Sequence, residues 1–248
     1  MPALLLIAHG SRDPRHAATV AALVREVRAQ RPALEVATAY LDHCAPRIPQ
    51  LVGRSGRFGR AADAVAVPLL LNRAFHAKHD IPAALRATGT GLPVADVLGP
   101  SPLLLAALDR RLAGAGLDVG SAAVRARTGV VLAAAGSSDP AADAATRRVA
   151  AEWRRTRGWA AVEVAYASAA GPRVPDALAA LRAAGAERTA VAPYLLAPGL
   201  LPDRIAAAAA GADLVADVLG AAPELAALLL ERYDRVRRAA ATVPALSA

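Results

Sequence analysis

The chain of 248 residues has a single cysteine, Cys44, so no internal disulfide can form and a reducing, cytoplasmic setting is expected. Lysine is nearly missing as well: Lys78 stands alone, and the positive charge is otherwise arginine. Aromatic residues make up 3% of the sequence, which leaves little for base stacking and argues against a nucleic-acid partner despite a net charge of +8. Arginine forks instead suit a small polyanion whose carboxylates they grip in pairs. No run of about 18 apolar residues marks a membrane span, and the opening Met-Pro-Ala-Leu-Leu-Leu-Ile-Ala lacks the basic flank of a signal peptide. Histidine is absent beyond residue 79; all five, His9, His16, His43, His76 and His79, fall in the first third of the chain.

What is present alternates. Apolar runs at 4–8, 34–40, 65–71 and 93–98 read as strands, with helical patterns at 14–30, after Pro46, at 80–88 and at 102–112. Asp13-Pro14 supplies an N-cap followed by a first-turn proline. The glycine- and arginine-rich 53–60 reads as an exposed loop. Such alternation predicts an α/β fold, a parallel sheet with helices on both faces.

The pattern then restarts. A-H-G-S-R-D-P at 8–14 aligns with A-A-G-S-S-D-P at 134–140, and A-Y-L-D-H-C-A-P-R-I-P at 39–49 with A-Y-A-S-A-A-G-P-R-V-P at 165–175, both at an offset of 126. V-A-D-V-L-G occurs at 94–99 and again at 215–220. A tandem duplication follows: two lobes, each a parallel four-stranded sheet flanked by helices. The boundaries expected are 1–114 for the first lobe, 115–128 for a Gly/Ala/Ser-rich linker, 129–238 for the second lobe and 239–248 for a frayed tail.

The second copy is an internal control. His9 aligns with Ala135, Asp42 with Ser168 and His43 with Ala169, while the loop holding His76 and His79 aligns with A-P-G-L-L-P-D-R. Framework residues survive in both copies and reactive ones only in the first. His9, Asp42 and His76 each follow a predicted strand, and ligands of open parallel sheets bind beyond the carboxyl ends of strands. Two imidazoles and a carboxylate suit Fe²⁺, Co²⁺, Ni²⁺ or Zn²⁺, and imidazole accepts a proton near neutral pH. His43 and His79 lie within reach of the same edge, whereas His16, inside the first helix, reads as solvated. Arg12, Arg47 and Arg73 border this edge as candidate carboxylate ligands, and Gly10-Ser11 reads as a turn into a helix whose N-terminus accepts an anion.

L-L-L-I-A-H-G-S-R, A-Y-L-D-H-C-A-P and V-P-L-L-L-N-R-A-F-H-A-K-H-D-I-P resemble the three signature segments of the sirohydrochlorin cobalt/iron chelatases, the class II tetrapyrrole chelatases, in their long two-domain form. The resemblance implies two chelatase-like, flavodoxin-like lobes and ATP-independent insertion of Fe²⁺ or Co²⁺ into sirohydrochlorin, for siroheme or cobalamin. It implies no obligatory cofactor beyond that substrate metal, with Ni²⁺ or Zn²⁺ also able to bind. By the same resemblance His9 is proton acceptor and metal ligand, His76 the second ligand, and Leu71, Asn72, Arg73, Ala74 and Phe75 contact the macrocycle along with Ser11, Arg12 and Arg47. Asp42 stands where many relatives have glutamate, and His79 where they have an acid. The expected partners are sirohydrochlorin and a divalent metal, with no membrane and, the two lobes being fused, a monomer. Three other readings compete: a carrier using the same residues without turnover; a histidine phosphatase, disfavoured because Ala8 stands where that chemistry wants arginine; and a structural, regulatory homologue, disfavoured by the intact His9 and His76.

Overall fold

The structure, a computed structural model, describes residues 2–53, 58, 64–72, 79–169 and 171–241. These fall into two compact units, residues 1–99 with 221–248 and residues 100–220. In the first, β1 (Ala3–Ala8) lies between β2 (Glu35–Tyr40) and β3 (Ala64–Pro68), all parallel, in the order β2-β1-β3. Every residue of β1 is buried, as a strand covered on both faces requires. Leu5 and Ile7 pack with Ile48 and Val52 of α2 (Ile48–Val52), Ile81 and Leu85 of α3 (Ile81–Arg86), and Phe58. Phe58 thus belongs to the core, although the rest of the expected exposed loop, apart from Gly53, lies outside the described residues.

Helix α1 (Pro14–Gln30) starts where the sequence predicts. Asp13 accepts from the Arg15 N–H at 2.9 Å and Pro14 occupies the first turn, where a missing N–H costs nothing. Its stripe Val20, Leu23, Val24 and Val27 is buried.

The expected fourth strand of this lobe is reduced to a single bridge, Ala66 to Val94. Ala66 N donates to Pro93 O and Ala95 N to Ala66 O, both at 2.8 Å, but Pro93 and Pro68 have no N–H with which to extend the pairing on either side, so no continuous ladder forms. The segment is tied down again where Leu98 and Gly99 donate to Leu70 and Leu71, at 2.9 and 3.0 Å.

The second unit has four parallel strands in the order β5-β4-β6-β7: β4 (Thr128–Ala134), β5 (Ala161–Tyr166), β6 (Arg188–Pro193) and the two-residue β7 (Leu214–Val215). Its helices are α4 (Pro102–Gly114), α5 (Ala122–Arg125), α6 (Pro140–Arg157), α7 (Val174–Ala183) and α8 (Leu200–Ala208).

The compact units cut across the two sequence repeats. The last helix of each repeat packs on the sheet of the other: α4 against β6, and α9 (Pro223–Ala241) against α1 and β3. Arg232 of α9, 6% exposed, donates through Nε and Nη2 to the carbonyls of Val97 and Leu98 at 3.0 and 2.7 Å. Arg111 of α4 donates to Leu219 O at 3.0 and 2.6 Å, the aligned position of the other V-A-D-V-L-G copy. The stretch 115–128, expected as the linker, therefore lies inside the second unit, and helix continues through Ala241 where a frayed tail was expected from 239.

Candidate functional site

Parallel strands bring their carboxyl ends to one edge, and the chain crossings there are close. Beyond β1, Leu41 N donates to Ala8 O at 2.9 Å and Asp42 N to His9 O at 2.8 Å, while Leu69 N donates to Ile7 O at 2.8 Å. The loops after β1, β2 and β3 are thereby laced together. Gly10 makes this possible: its φ is +91°, and a Cβ there would lie 1.8 Å from Asp42 O. Gly136, at the same φ, meets Ser168 O in the second copy.

His9 sits at this edge, half-buried, with Nδ1 3.1 Å from Gly10 O. The His43 ring lies 6.3 Å from it, centroid to centroid, inclined by 49°. His43 has a left-handed backbone, φ 60°, as does Ala169 at the same place in the second copy. Imidazoles are therefore paired across two loops.

Asp42 is committed to its own loop rather than to His9. Its Oδ1 accepts from His43 N at 2.8 Å and from Arg47 Nη2 at 2.9 Å, and Oδ2 lies 3.5 Å from His43 Nε2. The His43 N–H first, and the Arg47 guanidinium next, hold its carboxyl below the usual carboxylate range, so it stays ionised at neutral pH. Arg47 also donates to Leu41 O, bracing the loop, and Arg173 braces the second copy likewise.

Ser11 Oγ accepts from Asp13 N at 3.1 Å, the turn that Ser137 repeats with Asp139. Cys44 Sγ donates to Ser11 O at 3.2 Å. Arg12 is exposed. Leu71 and Asn72 are half-buried at the start of the third loop, and His79 is exposed beside α3. His76, with Arg73, Ala74 and Phe75, lies outside the described residues. Among the described residues, no three His, Cys, Asp or Glu side chains are grouped so as to hold a metal ion, and no helix is long and apolar enough to cross a membrane.

His16, expected from the sequence to be solvated, is half-buried instead. Its ring lies 6.5 Å from that of Tyr40, and Nδ1 is sealed from solvent without a partner. Burial, and then the charge of nearby His9, push its pKa below the ordinary value, so the imidazole is neutral at pH 7. It aligns with Ala142, and so shares with His9 and His43 the loss of imidazole in the second copy. A signal was available: residues 16, 20, 23, 24 and 27 share one face of α1.

A family model, CbiX, matches the chain twice, over residues 3–115 and 129–236. Among curated proteins the chain is 28% identical over 211 residues to a sirohydrochlorin ferrochelatase of Priestia megaterium, covering 83% of this chain and 77% of that one. It is 26% identical over 213 residues to a sirohydrochlorin cobaltochelatase of the same organism, covering 83% and 67%. Among solved structures, SirB from Bacillus subtilis with Fe³⁺ superposes with a TM-score of 0.78 over 98% of both chains at 24% identity, a likeness of fold. With both halves matched by the same family model, the chain belongs to the CbiX family.

Proposed function

We propose that this protein is a sirohydrochlorin chelatase, a lyase that inserts Fe²⁺ or Co²⁺ into sirohydrochlorin without ATP. The observation that carries the reading is the asymmetry between two halves of one family. Only the first holds imidazoles at its strand ends, with His9 and His43 6.3 Å apart, and the curated relatives are named for metal insertion into this macrocycle.

Insertion removes two pyrrole protons while the metal is held over the ring. In this reading His9 accepts the two protons in turn, releasing each to solvent, and with His76 presents the metal. Asp42, kept ionised, orients the His43 imidazole. Ser11, Arg12, Leu71, Asn72, Arg73, Ala74 and Phe75 line the macrocycle. Arg47, paired with Asp42, contributes through the part of its guanidinium left in solvent.

The positive charge steers a polyanionic substrate rather than nucleic acid, and the protein acts as a cytoplasmic monomer. Anaerobic insertion of Fe²⁺, Co²⁺ and Ni²⁺, followed by absorbance against the spontaneous rate, tests the reading. His9→Ala and His76→Ala are each expected to lower the rate by 100-fold or more, on the order of a lost general base. Wild-type rates in both variants would refute the assignment, and tight macrocycle binding without acceleration would make the protein a carrier.

A further inference from the structure

The loop after β5 is the internal copy of the loop after β2, and the two differ in charge. In the first, Asp42 stands 2.9 Å from Arg47 and neutralises it. In the second, the aligned pair is Ser168 and Arg173. Arg173 keeps the bracing bonds, Nη1 to Tyr166 O at 3.1 Å and Nη2 to Ala169 O at 2.8 Å, but Ser168 Oγ turns away to donate to Ala135 O at 2.7 Å. The nearby Asp176 carboxylate takes the Arg173 backbone N–H at 2.8 Å. Bound by carbonyls alone, the guanidinium keeps its full charge.

This loop walls a cavity of about 500 Å³ in the second unit, bounded on the other side by Arg204 and Ile205 of α8. Arg204 is exposed and makes no ion pair or hydrogen bond among the described residues. Among the residues lining the cavity none is acidic, and Val174, Ile205 and Ala208 give it apolar walls that strengthen any charge interaction inside. The second copy thus lacks the acid of the first, and a second cation faces the same space.

We propose that this cavity is a carboxylate-binding subsite, in which Arg173 and Arg204 grip one carboxylate of a small organic acid. That carboxylate belongs either to an acidic side chain of the macrocycle, which rests on the chelatase reading, or to a free di- or tricarboxylate.

Ser168→Asp recreates the acid of the first loop and neutralises Arg173 in place, while Arg204→Gln removes the second cation. Calorimetric titration of the full-length protein with citrate, and separately with metal-free sirohydrochlorin, reads the effect at low salt. Each variant is expected to bind about tenfold more weakly, with circular dichroism and thermal midpoint unchanged. Weakening for the macrocycle identifies its side chain as the occupant; weakening for citrate alone identifies a free acid. Affinities for both ligands that are unchanged in both variants, or wild-type protein that binds neither, would overturn the proposal. Should the wild type fail to insert metal, the citrate titration still decides the subsite.

Discussion

At Gly10 the loop after β1 passes so close to Asp42 O that two costs stack in any replacement. A left-handed backbone strains a residue with a Cβ by about 1 kcal/mol or more, and the clash at 1.8 Å adds an overpacking cost of about 1–3 kcal/mol. Gly116 has the strain without the clash, since at φ +95° nothing lies within 4 Å of its Cβ. Urea denaturation is therefore expected to show Gly10→Ala losing about 2 kcal/mol more than Gly116→Ala. His16 gives a second test at this scale. Its folded pKa lies below the ordinary 6.5, so the unfolded chain binds its proton first, and stability falls as pH drops through that value. His16→Leu is expected to flatten this part of the pH–stability curve below pH 7, because leucine continues the buried stripe without a polar atom. The strand-end positions of His9 and Asp42 were legible from the apolar runs that precede them. The direction of the Asp42 carboxylate was not, because it depends on the left-handed turn at His43, a residue type that gives no glycine-like warning.

Among the elements, the start of α1 was readable from Asp13-Pro14 and its cap is made; Ser101 before Pro102 and Asp139 before Pro140 accept from a first-turn N–H in the same way. The fourth strand was misread because its apolar run hides what Pro93 does to a ladder. In its place, the end of the 93–99 segment is held by α9. Arg232 is buried and satisfies two carbonyls with a charged donor, while Arg31 and Asp234 join α1 to α9 through a two-pronged pair at 2.6 and 2.8 Å. The Arg31–Asp234 pair is about a third exposed and contributes on the order of 1 kcal/mol or less. Arg232→Ala is a different case, since it leaves two carbonyls without that donor, and a loss of about 3 kcal/mol is expected in chemical denaturation. Arg232→Lys should recover only part of it, because an ammonium cannot span both acceptors as the guanidinium fork does.

For the whole molecule, the duplication was plain in the sequence but the assignment of helices to sheets was not. An amphipathic helix announces that it needs an apolar face to cover; with two parallel sheets of related order in one chain, its own sequence does not say which. The Gly/Ala/Ser-rich 115–128 looked like a linker by composition, yet α5 lies within it and Ser121 caps α5 through Val124 N at 3.3 Å. The two repeats instead exchange their terminal helices, which makes a prediction about fragments. Residues 129–241 contain all of the second sheet except Thr128 but lack α4, so β6 loses its cover, and Trp153 and Arg157 lose Asp109, which accepts from them at 2.8 and 2.6 Å. They also carry α9 without β3 or α1 to receive it. Residues 100–220 keep every one of these contacts and shed the orphan helix. Expressed separately, 100–220 is expected to unfold in urea as one cooperative transition, and 129–241 to aggregate or unfold without one. The reverse result would mean that the halves are held by sequence repeat, with the helix exchange contributing little. Cooperative unfolding of 100–220 alone would show that a protein built by duplication now has folding units that cut across its two copies.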